Sequence, residues 1–188
     1  MIPEDMRRLL VIGTSCSGKT TMAASLSEIL SCRHIELDRL YWLPGWRNRE
    51  VDEFRELTRR AVSGSCWVVD GNYSFVRDIT LSSATAVIWL NYSFPRVFWR
   101  ALRRTTQRVI SQEELFGGNR ESFRQSFLSK DSILWWVITT WLRRRREYAR
   151  LAKHPNHPPF VELRHPRDAE VFLDALQERD WKPCEEQE

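Results

Sequence analysis

The chain has 188 residues, 42% of them hydrophobic, and a formal net charge of +4, enough length to bury one core. Its longest apolar candidate, Ile133 to Leu142, falls well short of the roughly 18 residues of a membrane span, which excludes a spanning helix. Cys16, Cys32, Cys66 and Cys184 are scattered, without C-x-x-C or metal-ligand spacing, and MIPEDMRRLL carries no secretion signal, so reduced thiols and a cytoplasmic location are expected.

In chain order, Leu9, Leu10, Val11 and Ile12 form a short apolar run that predicts a buried parallel strand. The stretch GTSCSGKTT follows, from Gly13 to Thr21, and satisfies G-x-x-x-x-G-K-[ST], the phosphate-binding loop pattern. Thr21 to Leu30 carries apolar residues at helical spacing, completing the strand, loop and helix that the motif requires. Glycines at 13 and 18 let backbone N–H groups converge on an anion. Gly13, Thr14, Ser15, Cys16, Ser17, Gly18, Lys19, Thr20 and Thr21 are therefore the expected ATP-binding residues, although Cys16 fills an unrestricted position and its thiol is given no role. Lys19 should reach the β- and γ-phosphates, and Thr20 should ligate Mg²⁺.

His34 to Leu37 reads as a second strand ending at Asp38, which either holds and deprotonates an acceptor hydroxyl or caps the next turn. Pro44-Gly45 marks a turn between Trp42 and Trp46, and Val51 to Val62 is an amphipathic helix with Val51, Phe54, Leu57, Ala61 and Val62 on one side. Cys66 to Val69 predicts a third strand. Asp70 at its end faces Mg²⁺, directly or through water, or else caps a turn.

Ala84 to Leu90 is a fourth strand, and Pro95 opens a helix over Val97 to Ile110. Arg100, Arg104 and Arg108 lie four apart on one face of it, and that row could point back at the phosphates. Ser111 to Lys130 is polar, contains Gly117-Gly118 and reads as a lid in which Arg120 could close over the γ-phosphate. Ser132 to Ala152 is a long helix, with Trp135-Trp136-Val137-Ile138 weighed as core and Arg143 to Arg146 as a solvated run. Phe160 to Leu163 is the fifth strand, Arg164 and His165 sit at its end, and Asp168 to Gln177 is a final helix.

Strands alternating with helices predict a parallel sheet covered on both faces, with ligands at the C-terminal strand ends. That rule gathers the loop, Asp38, Asp70, Arg164 and His165 around one site. Charge is concentrated elsewhere: Arg96 to Arg150 holds 13 Lys+Arg against 5 Asp+Glu, or +8, leaving −4 for the rest. Such a segment suits either a lid over nucleotide or a surface for nucleic acid.

The phosphate loop together with HIELDRLYWLPGW, VVDGNYS, RALRRTTQR and LFGGNRESF resembles the bacterial FlaR-type DNA topology modulation proteins, which are also described as adenylate kinase-like P-loop ATPases. The resemblance runs from about Leu9 to Leu176. It implies a nucleoside-monophosphate-kinase-like α/β fold with a five-stranded parallel sheet, helices on both faces, an Arg-rich lid and an acceptor region after the second strand. Asp38 matches the Asp of the adenylate kinase Gly-Asp-x-x-Arg element, but Tyr41 stands where that family holds phosphate with Arg. Asp70-Gly71 matches their Asp-Gly-Phe-Pro-Arg stretch, yet Asn72-Tyr73-Ser74 follows and Arg77 comes late. These departures weigh against AMP, and an acceptor bearing hydroxyls, as in shikimate or gluconate kinases, fits Asp38 at least as well.

The sequence thus predicts a single-domain, Mg²⁺–ATP-dependent phosphotransferase acting on a nucleotide or other small acceptor. The alternative is a nucleic-acid-associated ATPase that uses the basic 96–150 segment. A GTPase is disfavoured, because the sequence has no Asn-Lys-x-Asp element.

Overall fold

A computed structural model describes residues 2–111 and 132–179. The expected lid, from residue 112 onward, and Arg120 lie outside the described residues. Strand β1 (Arg8–Gly13) is central because Leu9 to Ile12 are buried on both sides. Helix α1 (Lys19–Leu30) follows, then β2 (Arg33–Glu36), a short α2 (Leu37–Tyr41) and a hairpin of β3 (Trp42–Leu43) with β4 (Arg47–Asn48). Next come α3 (Val51–Ala61), β5 (Trp67–Asp70), α4 (Arg77–Ser83) and β6 (Ala86–Leu90). The described chain ends with α5 (Phe94–Ser111), α6 (Ile133–Leu151), β7 (Phe160–Leu163) and α7 (Pro166–Gln177).

The five long-range strands pair in the order β2-β5-β1-β6-β7, all parallel. This is the predicted sheet, and its central strands β1, β5 and β6 read as near-continuous apolar runs because both faces are covered. Leu9, Val11, Val68, Ile88 and Leu90 pack with Leu26 of α1, Ala101 of α5 and Phe172 of α7. The alternating residues Leu10, Ile12, Val69, Val87 and Trp89 pack with Phe54 of α3 and Ile79 of α4. Helix α6 serves both layers, giving Val137 to the first and Tyr148 to the second.

Three expectations change. Cys32 and Cys66 form a disulfide, with Cα atoms 5.3 Å apart, where reduced thiols were expected. Their sequence separation of 34 hides a register effect: Arg33 pairs with Trp67, so the residues just before them start two adjacent parallel strands side by side. Trp135, Trp136 and Ile138 are 51%, 43% and 47% exposed instead of core. Helix α6 turns Val137, Thr140 and Tyr148 inward, and those three residues fall on other faces. Val51, expected on the apolar side of α3, is also exposed, and Thr58 takes an inner position by donating its hydroxyl to the Phe54 carbonyl at 2.8 Å. Among the described residues, no helix is long and apolar enough to cross a membrane.

Candidate active site

The loop after β1 is shaped by close approach. A Cβ on Gly13 would lie 2.6 Å from Ser17 Oγ and 3.0 Å from the Leu90 carbonyl oxygen, so only glycine fits. Cys16 and Gly18 take positive φ of 64° and 95°, curling the chain back before α1 begins. Gly18 provides no side-chain cap, so the first N–H groups of α1 are left for a ligand, at the positive end of the helix dipole. Lys19 Nζ donates to the Thr14 carbonyl at 3.2 Å, folded over its own loop. Burial pushes the Lys19 pKa below the ordinary lysine value, against the opposing pull of Asp38 and Asp70.

Thr14 Oγ1 and Ser17 Oγ are buried and lack a hydrogen-bond partner. Buried hydroxyls left unpaired are costly and uncommon. Two of them, inside a ring of backbone amides and beside a desolvated ammonium, fit a bound polyphosphate. Thr20, the second residue of α1, is exposed at the same place.

The carboxylates arrive from the neighbouring strands. Asp70 ends β5, pairs in register with Val11 and Glu36, and is only 4% exposed. His34 Nε2 lies 3.8 Å from Asp70 Oδ1 and has no hydrogen-bond partner. Thr20 and Asp70 are the residues that would hold Mg²⁺, and their oxygen ligands suit that hard cation.

Asp38 sits in the first turn of α2, whose N-cap is Glu36, so Asp38 is not the cap. Its Oδ1 accepts a hydrogen bond from the Tyr73 hydroxyl. Burial, followed by the charge of Asp38 and this bond, raises the Tyr73 pKa and keeps the phenol protonated as a donor. The link between β5 and Tyr73 needs Gly71, whose φ is 141° and whose Cβ would meet Leu37 at 2.7 Å. Asn72 then donates to the Gly13 carbonyl, tying this crossing to the phosphate loop.

Of the predicted arginine row, Arg100 Nη1 donates to the Ser17 carbonyl at 3.0 Å and stacks 5.3 Å from the Tyr92 ring centroid. Arg104 is half-buried one turn on, with a buried, partnerless Nε, and Arg108 is half-buried beyond it. His165 bonds Arg96 at 2.8 Å and, with Asp168, forms the capping box of α7. Arg164 instead pairs with Glu162 at 2.9 Å, its side chain 74% exposed.

One site arginine escaped the sequence reading. Arg144 was grouped with a solvated run, yet its Nη1 donates to the Asn72 carbonyl at 3.3 Å and to Tyr148 Oη at 3.1 Å. Its Nε is buried without a partner, and its charge adds to the lowering of the Lys19 pKa. The signal was available: residue 144 lies seven after Val137 and four before Tyr148, on the buried stripe of α6. A second feature missed was a cleft of about 480 Å³ lined by Pro95, Arg96, Trp99, Arg100, Arg103 and Pro166, reaching the loop through Arg100. A larger groove, about 600 Å³, runs between α1 and α7 and touches none of the predicted site residues.

No established family profile matches the chain. In sequence it is 27% identical over 129 residues to "Uncharacterized protein YqaC" of Bacillus subtilis (strain 168), a match spanning 68% of this chain and 72% of that protein. Among solved structures it is similar to a shikimate kinase from Bacteroides thetaiotaomicron (15% identity, 93% of this chain and 98% of that one, TM-score 0.54). It is also similar to a sugar kinase from Janibacter sp. HTCC2649 (18%, 96% and 98%, TM-score 0.52). A gluconokinase from Sinorhizobium meliloti 1021 shares 20% identity over 92% and 94% of the two chains, with a TM-score of 0.51. At these identities the likeness establishes the fold, and the site must be argued from its own residues.

Proposed function

We propose that this protein is a Mg²⁺–ATP-dependent phosphotransferase acting on a small hydroxyl-bearing acceptor. The reading is carried by one observation: the groups a triphosphate would satisfy, Thr14 Oγ1, Ser17 Oγ and Arg144 Nε, gather with Lys19 at the strand ends that also present Asp38 and Asp70. Kinases among the structural neighbours support it at the level of fold.

Each residue has a role in this reading. The loop amides and Lys19 bind the triphosphate, and the Trp99–Pro166 cleft receives its base. Thr20 and Asp70 hold Mg²⁺, which neutralises developing phosphate charge when bound. Asp38 accepts the proton of the acceptor hydroxyl as that oxygen bonds the γ-phosphorus. The bond from γ-phosphorus to the β–γ bridging oxygen breaks, ADP leaves, and the proton passes from Asp38 to solvent. Arg100, Arg104 and Arg144 offset the charge spread over the moving group. The test is ADP release with a panel of acceptors, for wild type and Asp38→Asn. The reading predicts acceptor-dependent release that falls at least about 100-fold in the variant. Release independent of acceptor and unchanged in Asp38→Asn would refute it.

A second reading, a nucleic-acid-associated ATPase, corresponds to the FlaR-type resemblance and has one observation in its favour. Trp135 and Trp136 are exposed on the same helix as the exposed Arg143, Arg145 and Arg146. It predicts oligonucleotide binding that weakens steeply with salt. Binding absent at low salt removes it.

A further inference from the structure

The acceptor end of the site is built from aromatic rings around Asp38, and Arg39, Arg49 and Arg77 near it are paired with carboxylates. We infer that the acceptor is an uncharged, hydroxylated ring compound, a nucleoside or a neutral sugar, stacked on an aromatic wall with its reacting hydroxyl on Asp38. This rests on the phosphotransferase reading and adds the class of acceptor.

The wall is continuous. Tyr41 and Tyr73 rings lie 4.6 Å apart, Tyr41 meets Trp42 at 5.2 Å, and Trp42 meets Trp46 at 5.5 Å. All four are only partly buried, and Tyr73 brings the row of rings to Asp38. The β3–β4 hairpin holds Trp46 in place through the Pro44-Gly45 turn, with positive φ at Gly45 and at Trp46 itself. Trp42 is hydrogen-bonded to the Tyr73 side chain, the group that donates to Asp38, so the wall and the carboxylate are one unit. Rings of this kind bind planar bases and the C–H faces of sugars.

Charge argues against an anion there. Arg39 pairs with Glu36 at 2.7 Å, and Arg49 with the Leu40 carbonyl at 2.7 Å and with Glu53. Arg47 donates to the Pro44 carbonyl at 3.3 Å, and Arg77 pairs with Glu147. Asp38, which accepts from the neutral Tyr73 hydroxyl, keeps a negative charge at the acceptor end. A phosphate or carboxylate on the acceptor would face Asp38, while Arg39, Arg49 and Arg77 are already paired with carboxylates. Arg144 is held by the Asn72 carbonyl and the Tyr148 hydroxyl.

The test compares matched acceptors with ATP: uridine and thymidine against their 5′-monophosphates, and glucose and ribose against gluconate and shikimate. The inference predicts turnover with a nucleoside or a neutral sugar, at kcat/KM at least tenfold above the charged counterpart. The two arms separate the sources. Trp46→Ala should raise the acceptor KM tenfold or more without changing the KM for ATP, and Trp46→Phe should restore it. Preferred turnover of monophosphates or carboxylates overturns this inference and leaves the phosphotransferase reading intact. ADP release with no member of the panel, alongside no quenching of tryptophan fluorescence by any of them, overturns both.

Discussion

Lys19 is the residue on which structure and proposed activity meet. Without nucleotide its ammonium is desolvated, and the two nearby carboxylates do not fully offset that, since its pKa is lowered from 10.5. The folded state therefore sheds this proton more easily than the unfolded chain. The linked stability is smallest below the lowered folded pKa and rises as pH climbs from there toward 10.5. Lys19→Met removes the buried charge while keeping an apolar stem. The nucleotide-free variant is expected to melt higher than wild type near neutral pH, by roughly 2–4 °C if about 1 kcal/mol is recovered. Its stability should no longer climb with alkaline pH. Thermal melts of both proteins across pH 7 to 10 test this, and a lower melting temperature for the variant would mean that Asp38 and Asp70 need the lysine for stability.

At the scale of elements, what was legible in the sequence followed from period and punctuation. The three central strands were visible because each is apolar on both faces, and Phe160 to Leu163 was found without error in its bounds. Helix α4 was not predicted, because Arg77–Ser83 is short and polar, and it becomes a helix by burying Ile79 and Leu81 against the sheet. The loop residues and Asp70 were legible because chain order places them at strand ends. Arg144 was not, because a four-arginine run reads as solvent-facing until the inner stripe of α6 is traced through Val137 and Tyr148. The disulfide required strand register, which no spacing of cysteines reveals.

That tracing gives α6 a task. Arg144 is braced by Tyr148 and the Asn72 carbonyl, and Asn72 in turn holds Gly13, so the helix reaches the phosphate loop through two side chains. Arg144→Ala should lower kcat about 100-fold, the usual cost of removing one preorganised donor to a transferring group. The ATP KM should change far less, because the loop itself binds ground-state phosphate. Steady-state kinetics with a working acceptor decide it. Equal loss in kcat and in ATP affinity would make Arg144 a binding residue only.

Taken as a whole molecule, the two layers of helices bury a parallel sheet, and the partnerless Thr14, Ser17 and Arg144 atoms gather at its C-terminal edge. The basic 96–150 segment is divided: Arg100 and Arg144 turn toward that edge, while Arg143, Arg145 and Arg146 face outward. The net charge of +4 therefore describes neither half well. Everything proposed for the acceptor depends first on triphosphate binding at the β1–α1 loop. The most direct measurement is calorimetric titration of the purified protein with Mg²⁺–ATP, repeated with Lys19→Ala. Wild type is expected to give saturable heat at a single site. The variant should bind about 10–100-fold more weakly, as loss of one charge-assisted contact implies. No heat with wild type, or the same affinity in both proteins, would contradict the account.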